Sequence, residues 1–144
     1  MKQGKIVVVM GGPSSEAEVS RRTGAAIVSA LESKGYAVEG MELDPPNFAE
    51  AIRKSDCAIV FNALHGRYGE DGVLQGTLDM LGIPYTGSGV LAAAVTMDKV
   101  MSKRVFLGAG ISTPRSETFH RFEFDAKLSS RIRKAFSLPV VIKA

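Results

Sequence analysis

The stretch KIVVVMGGPSSEAEVS, residues 5–20, joins an unbroken apolar run to two glycines and then to a segment with helical spacing. A continuous β-branched run of this kind is what a strand covered on both faces of a parallel sheet requires. Strand, glycine turn and helix start, in that order, suggest a loop that cradles phosphate. The residues argue otherwise. Gly11 and Gly12 do not complete G-x-G-x-x-G, and no lysine follows at the spacing of a P-loop. Glu16 and Glu18 in the first helical turn would repel a phosphate drawn to the same helix end, whereas a cationic group would be favoured there. The two glutamates separate further. Ser15 and Glu18 fit an S-x-x-E capping box, which makes Glu18 structural. Glu16, at the first helical position, has no part in that box; it is either a complement to the helix dipole or a receptor for an amine.

Outward from this stretch, Val19, Thr23, Ala26, Ile27, Ala30 and Leu31 recur at helical spacing and Gly35 supplies a stop, so residues 15–34 are expected to be helical. YAVEGMEL alternates like a strand, PPNFAEAIRKS opens like a short helix, CAIVFN reads as a buried strand, GVLQGTLDMLG as a helix and IPYTG as a short strand. Strands alternating with helices imply parallel βαβ units with right-handed crossovers, an open α/β sheet over residues 1–95. Residues 96–144 begin a second unit. LAAAVTMDKVMSKRVFL, residues 91–107, reads as one helix, RSETFHRF as a strand, FDAKLSSRIRKAF as an amphipathic helix and LPVVIKA as a buried strand.

With 144 residues and 45% apolar side chains the chain can build one sizeable core and shows no sign of disorder. Cys57 is the single cysteine, so no intrachain disulfide forms; inside CAIVFNAL it reads as a small buried hydrophobe. No apolar run reaches the length of a membrane span or a secretory segment, and a cytoplasmic location is expected. The net charge of +3 is uneven: residues 1–96 carry 8 basic and 11 acidic side chains, and residues 97–144 carry 10 and 4. The basic part lacks the stacking aromatics of an RNA-binding sheet, so nucleotide phosphates are expected as ligands rather than a nucleic acid.

Two further constellations carry chemistry. HGRYGEDGVLQG, residues 65–76, follows a buried strand and enters a helix. Open α/β sheets bind ligands beyond the strand C-termini where strand order reverses; an order 2-1-3-4 would bring Glu16 and His65 to one crevice, suited to the ammonium and carboxylate of an amino acid. His65, Glu70 and Asp71 match no usual metal-ligand spacing, so no metal site is expected, and Asp71 reads as a helix cap. The lysines form the other constellation. Lys99 and Lys103 share a helix face, Lys103 reading as solvated surface, and Lys143 leaves an apolar strand; together they suggest an anion site.

GGPSSEAEVS, the run ALHGRYGEDGVLQGTLDMLGIPYTGSGVLAAAVTMDKVMSK and LPVVIK, in this order and spacing, resemble the D-alanine:D-alanine ligases of the ATP-grasp superfamily along most of the chain. The resemblance implies a Rossmann-like N-terminal substrate-binding domain followed by the start of an ATP-grasp domain. It implies an enzyme that phosphorylates the carboxylate of one D-alanine with ATP and Mg2+ and lets the amine of a second attack the acyl phosphate, for peptidoglycan precursors. It further implies that Glu16 receives the first ammonium with Ser15 and Val19 nearby, that His65 sits at the carboxylate, that Lys99 and Lys143 reach the ATP phosphates, and that two copies pair through the first domain. Ala17 and Ala144 depart from the family pattern. Past Lys143 there is no counterpart of the phosphate-covering loop, the lid serine and tyrosine, the arginine that stabilises the tetrahedral intermediate, or the magnesium ligands, so these 144 residues alone are expected to be inactive. Two other readings stand beside this one: a non-catalytic amino-acid-binding or dimerisation module, and a D-alanine:D-lactate or D-serine ligase.

Overall fold

A computed structural model of the chain describes residues 4–143. Three parallel strands form the sheet in the order β2-β1-β3: β1 (Ile6–Met10), β2 (Val38–Glu42) and β3 (Ile59–Asn62). β1 is central, which is why its run is apolar at every position; Val7, Val8 and Val9 have no solvent exposure. The IPYTG segment joins as a single parallel bridge, Val60 to Tyr85, rather than a full strand. It extends the order to the expected 2-1-3-4.

Helix α1 (Ala17–Glu32) crosses from β1 to β2 and packs on both. The positions it buries are Ser20 and Gly24; of the predicted stripe, Thr23, Ile27 and Leu31 are half-buried, while Val19 is 44% exposed. Small residues there let the helix lie against Met10 at the end of β1. On the opposite face, α2 (Phe48–Lys54) and α3 (Val73–Leu81) cover Val7, Val9 and Val60 with Phe48, Ile52, Leu74 and Leu78. Cys57 packs at the margin of this core, half-buried rather than enclosed. No helix among the described residues is long and apolar enough to cross a membrane.

Beyond α3 the chain departs from expectation in three places. The run 91–107 is two helices, α4 (Val90–Met97) and α5 (Lys99–Gly108). Asp98 takes extended backbone between them and its carboxylate accepts the N–H groups of Val100 and Met101, an N-cap that restarts the helix. RSETFHRF is irregular and ends in a 3-10 turn at Arg121–Glu123, and LPVVIKA forms no strand within its described residues, Val141 and Ile142 being 81% and 82% exposed. A strand needs a neighbour to pair its backbone, and no described residue supplies one for either segment. The Ala144 end of that expectation lies outside the described residues. The amphipathic helix forms, as α6 (Leu128–Ala135). Among the described residues past Ala93, none is buried.

This division predicts contrasting mutants. Leu78→Ala, at a site with no exposure, should lower unfolding free energy by about 2–5 kcal/mol in urea titrations. Ile142→Ala should stay within about 0.5 kcal/mol of the parent, as for a surface substitution.

Candidate functional site

Two loops at the C-terminal edge of the sheet face each other. The first runs from Met10 at the end of β1 to Glu16, the second from Asn62 at the end of β3 to Gly72 before α3. Hydroxyl groups pin them together. The fully buried Ser20 hydroxyl accepts the Gly11 N–H at 2.8 Å and donates to the Ala63 carbonyl at 2.8 Å. Ser14 donates to the His65 carbonyl at 3.2 Å while accepting the Glu16 N–H at 3.1 Å.

That Ser14 turn changes how the helix begins. Ala17 N–H bonds back to the Ser14 carbonyl, the helix starts at Ala17, and Glu16 itself occupies the N-cap position. The predicted Ser15–Glu18 capping box therefore does not form: Ser15 lies one residue too early, and exposed Glu18 turns toward Arg21 at 3.7 Å. Ser15, Glu16 and Val19 are all exposed at the loop mouth.

Glu16 and His65 are brought to the same place, as expected. A methyl group added at Gly66 would lie 2.5 Å from Glu16 Oε2 and 3.2 Å from Ser14 Oγ, so the Glu16 carboxylate rests on the His65–Gly66 turn. Gly66 also has φ +69, a conformation that side chains disfavour. The imidazole is held by the Thr23 hydroxyl, 3.2 Å from Nε2, and its Nδ1 stands 4.0 Å from Glu70 Oε1. Glu70 in turn accepts the Gly66 N–H at 3.0 Å. Asp71 is not the expected helix cap, since Gly72 takes the N-cap position of α3; one residue earlier, its carboxylate accepts from Tyr68 N–H and Val73 N–H and holds the turn that enters the helix. Among the described residues no three His, Cys, Asp or Glu side chains converge as a metal site.

A cleft of about 500 Å³ opens beside this pair, walled by Asn62, Glu70, Gln75, Thr86, Thr96 and Lys99 among others. Asn62 and Gln75 both donate to the Gly69 carbonyl, at 2.8 and 2.7 Å, and fix the backbone that carries Glu70. Gln75 Oε1, buried, has no hydrogen-bond partner. The lysines are dispersed: Lys99 lines the cleft, whereas Lys103 donates to Thr113 Oγ1 and the Pro114 carbonyl, a structural tie and not the solvated surface predicted. Lys143 lies on exposed irregular backbone rather than at a strand end.

Sequence reasoning passed over Ser20, Thr23, Asn62, Arg21 and Glu42. Ser20 carried a signal, a small polar residue four before Gly24 on the face that must meet the sheet. Asn62 carried another, a polar side chain closing an apolar strand. The pairing of Arg21 with Glu42 is long-range and left no sequence mark. Arg21 Nε lies 3.1 Å from both Glu42 carboxylate oxygens and Nη2 2.7 Å from Oε1. Glu42 is held below the usual carboxylate range chiefly by this hydrogen bonding, against a counteracting effect of burial, with help from the Gly12 N–H and the Arg21 charge.

Fold and loops together define a parallel α/β unit whose loops gather at the strand C-termini, the edge at which open sheets of this kind bind ligands. Residues 37–88 match the family described as D-ala D-ala ligase N-terminus. The chain is 48% identical over 145 residues to the D-alanine–D-alanine ligase of Carboxydothermus hydrogenoformans, an alignment that takes in 97% of this chain and 45% of the relative. It is 48% identical over 143 residues to that of Moorella thermoacetica, with 97% and 46% covered. Among solved structures, the D-alanine–D-alanine ligase of Bacillus anthracis superposes with a TM-score of 0.78 at 36% identity, covering 92% of this chain and 43% of that one. The same enzyme complexed with ATP gives 0.74 at 38% identity, over 86% and 43%. The chain is similar to D-alanine–D-alanine ligases along nearly all of its length, and it spans less than half the length of these relatives.

Two outcomes test the site. Gly66→Ala should destabilise the fold by about 1–3 kcal/mol, and adding Glu16→Ala should recover part of that loss, a coupling of about 0.5–3 kcal/mol in a urea double-mutant cycle. A Glu42 carboxyl held low in the folded state adds stability that is present above the ordinary carboxylate range and lost as pH falls through its folded value. The melting temperature of the parent should therefore exceed that of Glu42→Gln at neutral pH and converge with it in acid. The gap should be small and shrink with salt, because both partners are about half exposed.

Proposed function

We propose that these residues form the first-substrate half of an ATP-dependent ligase that joins two D-alanines through an acyl phosphate, supplying peptidoglycan precursors. The observation that carries this reading is the Glu16 carboxylate resting on the His65–Gly66 turn. A carboxylate at a helix N-terminus favours a cation, so the ammonium of an amino acid is oriented toward Glu16, with Ser15 and Val19 at the mouth. His65, held between Thr23 and Glu70, faces the carboxylate end. Lys99 on the adjoining cleft offsets charge on the transferring phosphoryl group. Lys143 belongs to the same phosphate role by family resemblance alone. Magnesium has no ligand set among the described residues.

Residues 1–95 are read as the substrate-binding unit and 96–144 as the beginning of the nucleotide-binding one. The lack of any buried residue among those described past Ala93 supports this, since a unit with its own complete core would bury some. Pairing of two copies through the first unit and a cytoplasmic site of action complete the reading.

The test is a chimera in which residues 1–144 replace the matching part of the Carboxydothermus ligase, checked for folding by circular dichroism and gel filtration. With ATP, Mg2+ and D-alanine it should release phosphate, and Glu16→Gln should raise the KM for D-alanine by about 10-fold or more with the KM for ATP little changed. The 144-residue polypeptide alone should release none. A folded chimera without activity, or a Glu16→Gln variant with unaltered KM, would overturn the proposal.

A further inference from the structure

The glycine loop has an anion bound to it, and the anion is the chain's own. Strand, glycine turn and helix leave N–H groups pointing outward, a natural receptor for phosphate or carboxylate. Here the Gly12 N–H donates to Glu42 Oε1 at 3.1 Å, and the carboxyl group of Glu42 lies where a side chain on Gly11 would begin. Gly11, at φ +72, is favoured by its backbone, and the Glu42 carboxylate rests in the space that its missing side chain leaves. Glu42 is delivered there by register: it is the last residue of β2 and pairs with Met10, the last residue of β1.

Arg21 closes the arrangement from α1, bonding both Glu42 oxygens and lying 3.7 Å from Glu18. Half-exposed ion pairs contribute little to stability, so stability does not account for it. What the pair does is geometric. It ties the end of β2, the glycine loop and the first turns of α1 to one another, and Glu16 lies between the two tied points.

We propose that Glu42, clamped by Arg21, is a positioning residue: it fills the anion-accepting face of the glycine loop, which fixes the backbone carrying Glu16 and denies that end of the crevice to a carboxylate or phosphate. The amino acid is thereby admitted amine first. The positioning part rests on the assignment of Glu16 to the substrate ammonium; the occupancy of the loop does not.

Two measurements test it. In the 144-residue chain, inorganic phosphate followed by amide NMR should leave the Gly12 resonance of the parent in place and shift it in Glu42→Ser, where the loop N–H and Arg21 are released. In the ligase chimera, Glu42→Gln and Arg21→Leu should each raise the KM for D-alanine by about 3- to 10-fold at nearly constant kcat and KM for ATP, and Arg21→Lys should retain part of the parental affinity. Phosphate shifting Gly12 in the parent, or failing to shift it in Glu42→Ser, would overturn the occupancy. An unchanged D-alanine KM in Glu42→Gln, in a chimera where Glu16→Gln raises it, would overturn the positioning role. If Glu16→Gln also has no effect, the substrate reading fails with it while the phosphate result still judges the loop.

Discussion

One buried hydroxyl holds the crevice in shape. Ser20 accepts from Gly11 and donates to Ala63, so the loops that follow the central strand and its neighbour are joined beneath the surface by two hydrogen bonds through a single oxygen. Neither backbone group has water to turn to, because Ser20 is fully enclosed. Leaving buried polar groups unpaired costs more than a made bond contributes, which turns a small side chain into a strong geometric constraint. Ser14 repeats the connection nearer the mouth, and the Glu16 carboxylate settles on the His65–Gly66 turn as a result.

Charge is then distributed along the crevice in order. The β1 end is carboxylate-rich, with Glu42 on the loop N–H and Glu16 at the helix start. The middle holds a histidine between a hydroxyl and a carboxylate, and the far cleft carries Lys99. In the proposed reading, an amino acid lying between them would meet a negative group at its amine and a positive one beyond its carboxylate. A glycine turn of the kind that usually takes phosphate already carries an internal carboxylate, that of Glu42.

The sheet and its crossovers were legible in the sequence because period and punctuation agree: Val7–Val9 fill the centre of the sheet, and Gly35 and Gly82 stop helices where a stop signal should lie. That the loop carrying Glu16 lies against the loop carrying His65 followed from strand order. Local pattern failed where a partner decides the outcome. The apolar 138–143 run and the 115–122 segment have strand-like composition, but no described strand lies beside them. Asp98 inside an apolar helical run was a capping signal passed over in favour of continuous periodicity. The Ser15–Glu18 box obeyed its spacing rule and lost to a Ser14 turn that bonds to the opposite loop, a contact 51 residues away.

Amide hydrogen exchange in Ser20→Ala tests the central claim, that the two loops are one unit held by this hydroxyl, most directly. The account predicts a loss of about 1–3 kcal/mol in overall stability. Beyond that loss, exchange should accelerate together at Gly11 in the first loop and at Glu70, whose N–H bonds to the Gly66 carbonyl in the second, with Ala51 in α2 showing no more than the global change. Acceleration confined to Gly11, with Glu70 following only the global change, would contradict it.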